Sequence, residues 1–433
     1  MKKLLILLWM SVTVHAVDRP NIILIMVDDM GRDWVSSYGA EHSTPNIDKL
    51  AEQGVLYQTA WSLPICTPTR VTLLTGQYPC NHGWVQHYDV PRWGGAGLES
   101  KKFTTFARTL RGSGYATAIG GKWQINHLGK DPDALDRHGF DEHCVWPGVE
   151  EGEPETEERF WNGLLITNGK RAKVPYGPDT INQFLIDYIK RHKNDPFLIY
   201  YPMLLTHGPH TITPMNEANP PEGKLALYAG NVTYMDHLVG KIVRALDELG
   251  LKERTMILFT GDNGSAASGN LNGQPYPKGK GREADWGVHV PFIVRAPFLN
   301  KGGIVSRDLI DFTDIYPTLL ELAGTSPPKQ LKLDGKSFIP SLRGSEDPFD
   351  KRSWIYSQIG NFRMIRDWHH LVDNKGGFHD LNKDPLQQNK VSPLDKIAPG
   401  RRQRLQMILD RFPENAPAPF PEFKTKHPGL NND

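Results

Sequence analysis

Short apolar runs that alternate with helical patterns constrain the fold of this 433-residue chain more than any other feature of its sequence. Four runs predict buried strands, because they are rich in β-branched and aromatic residues and are too short for helices. They cover residues 21–27, 196–203, 255–260 and 291–295. Apolar residues at helical spacing predict helices over 180–192, 225–249 and 314–323. This alternation predicts an α/β fold: a large, mainly parallel sheet with helices on both faces.

Polar residues follow three of these runs at the point where each strand is predicted to end. Asp28 and Asp29 follow the first run, His207 follows the second, and Asp262 and Asn263 follow the third. In open parallel sheets, ligands gather at the carboxyl ends of the strands. We therefore expect these five side chains to lie in one functional site.

The pattern of the sequence changes after about residue 342. Short alternating runs over 353–358, 362–366 and 369–372 predict a smaller antiparallel sheet, and a terminal helix is predicted near 401–410. The prediction is therefore a catalytic α/β domain over 17–342 and a C-terminal α+β subdomain over 343–433. A proline-rich tail begins at Pro413.

The first 16 residues predict an export signal peptide. Lys2 and Lys3 precede an apolar run over 4–14, and the run ends at Val14-His15-Ala16, which fits a cleavage site. The run is short for a bilayer span. We expect cleavage, a secreted or periplasmic location, and no stable membrane anchor in the mature protein.

The net charge and the cysteine count limit the classes of function that this chain can have. The chain has 50 basic and 49 acidic residues and a net charge of +1, which argues against nucleic-acid binding through bulk electrostatics. Of its three cysteines, Cys66, Cys80 and Cys144, an exported protein would leave at least one as a thiol. Whether Cys80 pairs with Cys144 is left open by the sequence.

The segment around Cys66 is the most specific motif in the chain. Residues 64–76 read PICTPTRVTLLTG, a C-x-P-x-R core followed by an apolar pair, Thr and Gly. In this extended form the segment resembles the first signature of the type I sulfatase family, within the alkaline phosphatase-like superfamily. Further segments resemble the family at GKW 121–123, GKG 279–281, DGKS 334–337 and FHDLNKDP 378–385. The resemblance runs from about residue 19 to about residue 389.

This resemblance implies a nucleophile and a metal site. A formylglycine-generating maturation enzyme would oxidise Cys66 to formylglycine (3-oxoalanine). One hydroxyl of the hydrated aldehyde would attack sulfur, and loss of the proton from the other would release sulfate. Asp28, Asp29, Asp262 and Asn263 would bind one calcium ion together with residue 66. Their hard oxygen ligands suit calcium or magnesium better than zinc.

The resemblance also implies roles for several cations. Arg70 would hold the aldehyde hydrate, and Lys122 and Lys280 would bind sulfate and offset charge on its oxygens and on the leaving alkoxide. His207, in an H-x-P-H segment, would protonate the leaving alcohol or contact the ester oxygen. His210 is a candidate for the mouth of the same site.

Two segments depart from the family pattern. The family's G-K-W-H-L-G segment is GKWQINHLG here, so Gln124 stands at the histidine position unless His127 resumes the motif after three inserted residues. A glutamine can form hydrogen bonds but cannot shuttle a proton at neutral pH. Gln124 is the favoured occupant of the pocket, and His127 is left open. Elsewhere DWG at 285–287 replaces E-G-G and His289 replaces an arginine, changes expected to bear on substrate shape.

The sequence thus predicts a sulfuric ester hydrolase that acts on a sulfated carbohydrate. The carbohydrate follows from export and from tryptophans in predicted rim loops, Trp84, Trp93 and Trp286. Two alternatives stay open. One is a phosphodiesterase or phosphonate hydrolase of the same superfold. The other is a catalytically silent binder of sulfated glycans, to which Gln124 points.

Overall fold

The computed structural model describes residues 19–391 and 398–417. The predicted signal peptide, residues 1–16, and most of the proline-rich tail lie outside the described residues. The strands are β1 Asn21–Val27, β2 Val55–Trp61, β3 Ala116–Lys122, β4 Glu142–Trp146, β5 Trp161–Thr167, β6 Lys170–Tyr176, β7 Phe197–Pro202, β8 Thr255–Gly261, β9 Gly269–Leu271, β10 Gln274–Tyr276, β11 Phe292–Arg295, β12 Ile304–Asp311, β13 Ile355–Ile359, β14 Phe362–Arg366, β15 His370–Asp373 and β16 Phe378–Asp380. The helices are α1 Pro45–Glu52, α2 Cys66–Thr75, α3 Pro79–His82, α4 Val90–Trp93, α5 Phe106–Gly112, α6 Ala134–Arg137, α7 Gly177–Arg191, α8 Lys224–Glu248, α9 Asp285–Val288, α10 Ile315–Leu322, α11 Ile339–Leu342 and α12 Ala398–Leu409.

The predicted α/β fold with a large, mainly parallel sheet is confirmed. In the described residues, ten strands form this sheet in the order β12-β2-β11-β8-β1-β7-β3-β4-β5-β6. The central strands β8, β1, β7, β3 and β4 run parallel to one another. The exceptions are β11, which is antiparallel to both of its neighbours, and β5 and β6, which form an antiparallel edge.

Helices cover both faces of the sheet, and β1 shows why. Its seven residues are all buried: Ile22, Leu24 and Met26 pack on one face, and the residues between them pack on the other. Side chains of a strand alternate between faces, so a strand that is apolar throughout needs cover on both. Helices α2, α5 and α10 contribute to one core, and α1, α7 and α8 to the other. Each fully buried aliphatic side chain contributes about 1.5–3 kcal/mol.

The C-terminal part forms the predicted antiparallel meander and terminal helix. Strands β13 to β16 pair in sequence order, and Leu405 and Leu409 of α12 pack against them. Several buried contacts join this small sheet to the large domain. Arg366 Nη1 lies 2.6 Å from Asp285 Oδ1, and Ser357 Oγ donates a hydrogen bond to the Ser62 carbonyl at 3.0 Å. Among the described residues, no helix combines the length and apolar character that crossing a bilayer requires.

Candidate active site

The carboxyl edge of the central parallel strands brings the predicted site residues together. Strands β8, β1, β7 and β3 are neighbours, so the residues that follow them meet at one edge of the sheet. Strand β2 runs in the same direction, because it is antiparallel to β11 and β11 is antiparallel to β8. Helix α2, which begins at Cys66, follows β2 on this edge. The cysteine motif thus reaches the same place as the acidic pairs.

Four buried residues at this edge, Asp28, Asp29, Asp262 and Asn263, are named here the oxygen quartet. Each is at most 1% exposed. Asp29 adopts a left-handed backbone, with φ of 63°, and its N–H donates to Asp262 Oδ1 at 2.9 Å. Asn263 Nδ2 donates to Asp29 Oδ1 at 3.0 Å. These bonds hold the two ends of the quartet, 233 residues apart in the chain, against each other.

Burial and neighbouring charges shift the pKa values of the Asp28 and Asp262 carboxyl groups in opposite directions. Burial raises the pKa of Asp28, but the cationic side chains around it, led by Lys122, outweigh burial and hold that pKa well below its usual range. Burial and then the Asp28 carboxylate raise the pKa of Asp262 well above its usual range, although Arg70 opposes them. Three carboxyl groups in one buried cluster therefore repel one another. A cation bound among them would stabilise their ionised forms.

The quartet fits a hard divalent cation. Among the described residues, Asp28 Oδ1 and Asn263 Oδ1 are buried oxygens without a hydrogen-bond partner, a costly arrangement unless another ligand satisfies them. Ligand atoms of Asp28, Asp29 and His207 lie within 4.8 Å of one another. The quartet itself offers only oxygen, which suits calcium or magnesium.

Three cationic residues pair with the quartet. Lys122 Nζ lies 2.6 Å from Asp28 Oδ2, and Lys280 Nζ lies 2.6 Å from Asp29 Oδ2. Arg70 Nη2 lies 3.0 Å from Asp262 Oδ2, and its Nη1 donates to the Lys122 carbonyl at 3.0 Å. All three predicted cations therefore reach the site.

Local backbone structure explains how Lys122 and Lys280 are placed. Lys122 ends β3, and Gly121 before it has a φ of 130°; a Cβ there would lie 1.8 Å from the Pro202 carbonyl oxygen. Only glycine lets β3 approach β7 so closely. Lys280 lies in a loop tied back to the cysteine motif, because the Gly281 N–H donates to the Pro64 carbonyl at 2.7 Å.

Cys66 is the first residue of α2 and is 1% exposed. Its Sγ lies 3.5 Å from Gln124 Oε1, so the structure brings Gln124 to the nucleophile position. The backbone of Gln124 is left-handed, with φ of 67°. His127 points elsewhere, with Nδ1 3.4 Å from Glu150 Oε1. Of the two candidates for the family's histidine position, Gln124 is the one beside Cys66.

His87 also contacts Cys66, and sequence reasoning missed it. Its Nδ1 lies 3.6 Å from Cys66 Sγ and 3.3 Å from Thr67 Oγ1, and its ring meets Trp93 edge-on at 5.1 Å. Burial lowers the pKa of His87 to about 4, so the ring is neutral at pH 7. His87 lies in a loop between α3 and α4 and follows no strand, so no pattern in the sequence marks it.

The two histidines after β7, His207 and His210, lie near the Asp29 end of the quartet. His207 Nε2 is 3.7 Å from Asp29 Oδ2, and burial followed by Lys122 lowers the pKa of His207 to about 3. His210 does not touch the quartet directly; its ring packs edge-on against Tyr228 at 5.0 Å. The Tyr228 hydroxyl donates to the Asp29 carbonyl at 2.8 Å, which connects His210 to the site.

Two sequence expectations are wrong. Trp84 is 1% exposed and belongs to the hydrophobic core, whereas Trp93 and Trp286 are half-buried. Asp285 and His289 do not shape the substrate site, because they are buried and hydrogen-bonded to each other at 2.9 Å. Asp285 also pairs with Arg366, so these two positions join the two sheets.

The sequence left open whether Cys80 and Cys144 form a disulfide, and in the structure they do not. Cys66, Cys80 and Cys144 are all free thiols. Cys144 is buried in β4 and its Sγ accepts a hydrogen bond from Thr167 Oγ1 at 3.3 Å, while Cys80 lies in α3. Cys80 and Cys144 therefore supply possible controls for experiments on Cys66.

Comparisons with known proteins identify the family of this chain. The family model described as Sulfatase matches residues 20–325. Human arylsulfatase H is 29% identical over 445 residues, spanning 81% of this chain and 77% of that protein. N-acetylgalactosamine-6-sulfatase of Canis lupus familiaris is 30% identical over 356 residues, spanning 76% of this chain and 66% of that protein.

Solved structures give the same result. Ps i-CgsB is similar with a TM-score of 0.78 and 25% identity, covering 94% of this chain and 95% of that one. Its complex with k-i-k-neocarrahexaose is similar with a TM-score of 0.76, also at 25% identity, covering 92% of this chain and 94% of that one. With a family match over most of its length and this site at the carboxyl edge of its sheet, the chain belongs to the sulfatase family and is a sulfatase.

Proposed function

We propose that this sulfatase releases sulfate from a sulfated carbohydrate, with residue 66 as a formylglycine nucleophile and one calcium ion bound by the oxygen quartet. The observation that carries the proposal is the convergence of Cys66, the quartet and two lysines at one edge of the sheet. Burial and then Asp28 raise the pKa of Asp262, and Asp29, against burial, raises the pKa of Lys280; Cys66 adds a smaller effect in the same direction on each, so the thiol lies within electrostatic reach of both.

Each part of this site has a chemical task. Oxidised by a maturation enzyme, residue 66 supplies a nucleophilic hydroxyl and a second hydroxyl whose deprotonation allows sulfate to leave. The calcium ion would supply Lewis acidity toward the sulfate oxygens. Lys122 and Lys280 would bind those oxygens, because each carries its charge on an Nζ at the quartet. Arg70, paired with Asp262, would hold the aldehyde hydrate.

The side chains around Cys66 define how a proton could move. Gln124 and His87 contact Sγ, so both would form hydrogen bonds to the hydroxyls of the modified residue. Gln124 can only orient them, whereas His87, whose ring is neutral at pH 7, would have a nitrogen able to accept a proton. His207 approaches Asp29 through its Nε2 and would protonate the leaving alcohol or contact the ester oxygen from that atom.

Relatives and the predicted signal peptide support the substrate class and location. A 30% identical relative is named for N-acetylgalactosamine-6-sulfate chemistry, and Ps i-CgsB has a complex with k-i-k-neocarrahexaose. A pocket of about 780 Å³ adjoins the His207 segment through Pro209 and offers room for a sugar. The apolar run over 4–14 supports export to a secreted or periplasmic location.

The test is sulfate release by matched cysteine variants made in a host that contains the maturation enzyme. We expect Cys66→Ala to lower kcat by about 10⁴-fold or more on every sulfate ester tried, because the nucleophile is lost. Cys80→Ala, the control, removes a thiol that lies in α3 and should keep full activity. Full activity of Cys66→Ala would refute the proposal. Equal losses in both variants would show that folding, not the nucleophile, is affected.

A further inference from the structure

Arg159 is a buried cation at the mouth of the site that neither the sequence nor the proposed mechanism uses. It lies two residues before β5 and is 6% exposed, and its Cζ stacks 4.0 Å from the ring centroid of Trp146. Trp146 ends β4 in register with Lys122 at the end of β3, so the stacked pair lies at the catalytic edge. Gly177 makes room for this turn, because a Cβ there would lie 2.3 Å from the Arg159 carbonyl oxygen.

The hydrogen bonds of Arg159 leave its charge largely unsatisfied. Arg159 Nη1 lies 3.0 Å from His207 Nδ1, but the Gly208 carbonyl oxygen lies 2.6 Å from the same ring nitrogen. One ring nitrogen can serve only one of these groups. His207 therefore uses at most one of the five N–H groups of the guanidinium, and the buried Nε has no partner among the described residues.

No described carboxylate forms an ion pair with Arg159, although Asp28 and Asp29 act on it from a distance. Burial lowers the pKa of Arg159 below its usual value. A buried guanidinium with unpaired N–H groups is costly unless a ligand supplies the missing acceptor. Because the guanidinium is planar, the groups that match it best are a carboxylate or a sulfate that accepts two N–H bonds.

Arg159 opens into the pocket of about 780 Å³ beside Pro209. The other groups of this pocket differ from it. Arg92 is mostly solvated and pairs with Asp89 at 3.5 Å. Glu150 is buried, and its oxygens accept from the Gly129 N–H at 2.8 Å and from Arg171 at 2.6 Å. Arg159 is therefore the buried cation of this pocket that still lacks a carboxylate.

We propose that Arg159 binds a second anionic group, a carboxylate or a further sulfate, on the same sugar unit that carries the scissile ester. The inference rests on the proposed function, since it takes the pocket beside His207 as the leaving-group side. Exposed glutamates at 153, 157 and 158 form the outer lip of the pocket, and they disfavour additional negative charge beyond that unit. The substrate is thus a saccharide end whose reacting unit carries two anions.

The test compares phenyl sulfate with 3-carboxyphenyl sulfate, which differ only in the second anion. In the wild-type enzyme, the carboxylate should raise kcat/KM by about tenfold or more, as expected for a charge-assisted bidentate pair. In Arg159→Gln, and in Arg159→Met, which keeps an apolar stem over Trp146, this advantage should fall to within about twofold. Arg343→Gln, the control, removes an exposed arginine that does not line this pocket and should keep the wild-type ratio.

The ratio distinguishes recognition from a merely structural role. Loss of Arg159 as a support for His207 would lower kcat/KM equally for both esters and leave the ratio unchanged, which would overturn the inference. A wild-type enzyme that shows no preference would overturn it without any variant. Hydrolysis of both esters with equal efficiency would refute only this inference, whereas failure of formylglycine-containing protein to release sulfate from either ester and from every sulfated saccharide tried would refute the proposed function.

Discussion

The floor and the wall of the site are built in different ways. The floor consists of the oxygen quartet with Lys122 and Arg70, and its charges are paired with one another at 2.6 to 3.0 Å. The wall consists of His87, Gln124 and Arg159, which lie in loops and make single or incomplete hydrogen bonds. The floor is set by strand topology, and its chemistry suits any sulfate ester. We propose that the wall controls the proton path and the choice of substrate.

Among changes to the floor and the wall, removal of the proposed calcium ion should produce the largest effect, because three buried floor carboxylates repel one another without a cation. Treatment with a calcium chelator is expected to lower kcat by about 10³-fold or more and to lower the midpoint of thermal unfolding. Re-addition of calcium should restore both, and magnesium should do so less well because of its stricter geometry. Full activity in protein shown by elemental analysis to be free of metal would contradict the floor as described.

The second prediction concerns Lys122, which pairs with Asp28 at 2.6 Å. Lys122→Ala should lower kcat by about 10²–10³-fold, the range for loss of one electrostatic donor in an active site. The loss should be the same on every sulfate ester, because the floor contacts the common sulfate group. Lys130→Ala, in an exposed part of the following loop, is the control and should change little. A loss of activity on only some sulfate esters would mean that Lys122 contributes to the choice of substrate, as the wall residues do.

The smallest effect is expected at Gln124, since it offers one neutral hydrogen bond to residue 66. Gln124→Ala should lower kcat by roughly 2- to 12-fold, equivalent to about 0.5–1.5 kcal/mol. His127→Ala is the matched comparison and should keep wild-type kcat, because His127 lies beside Glu150. A larger loss in His127→Ala than in Gln124→Ala would mean that His127, not Gln124, takes the family's histidine position during turnover.

The floor could be predicted from sequence because its residues directly follow apolar strands. The run 21–27 matches β1 residue for residue, and runs 196–203 and 255–260 match β7 and β8 to within one residue at each end. When two parallel strands are each followed by carboxylates, these side chains meet at the same edge of the sheet and form one site. The motif around Cys66 then supplied the nucleophile by resemblance.

Other strands lack this signal. Strand β3 contains two consecutive glycines, and β6 is an exposed edge strand with three cationic residues, so neither forms an apolar run. The antiparallel direction of β11 also leaves no mark in a run of apolar residues, since β11 is buried like its parallel neighbours.

Gln124 was predicted from its motif, but the other two wall residues, His87 and Arg159, escaped prediction because long-range folding, rather than strand order, positions them. His87 reaches Cys66 from a loop 21 residues away, and Arg159 meets His207 across 48 residues. Nothing in either local sequence indicates that contact. Asp285 and His289 misled for the opposite reason: their motif position pointed to the site, but their side chains join the two sheets.

Mass spectrometry of the peptide that contains Cys66 tests the central claim most directly. The protein should be made in a host with the maturation enzyme, and its sulfate release should be measured on the same sample. The account predicts formylglycine at residue 66, in a fraction that rises in proportion to activity, and unmodified cysteine at residues 80 and 144. An active preparation in which residue 66 is entirely unmodified cysteine would contradict the account.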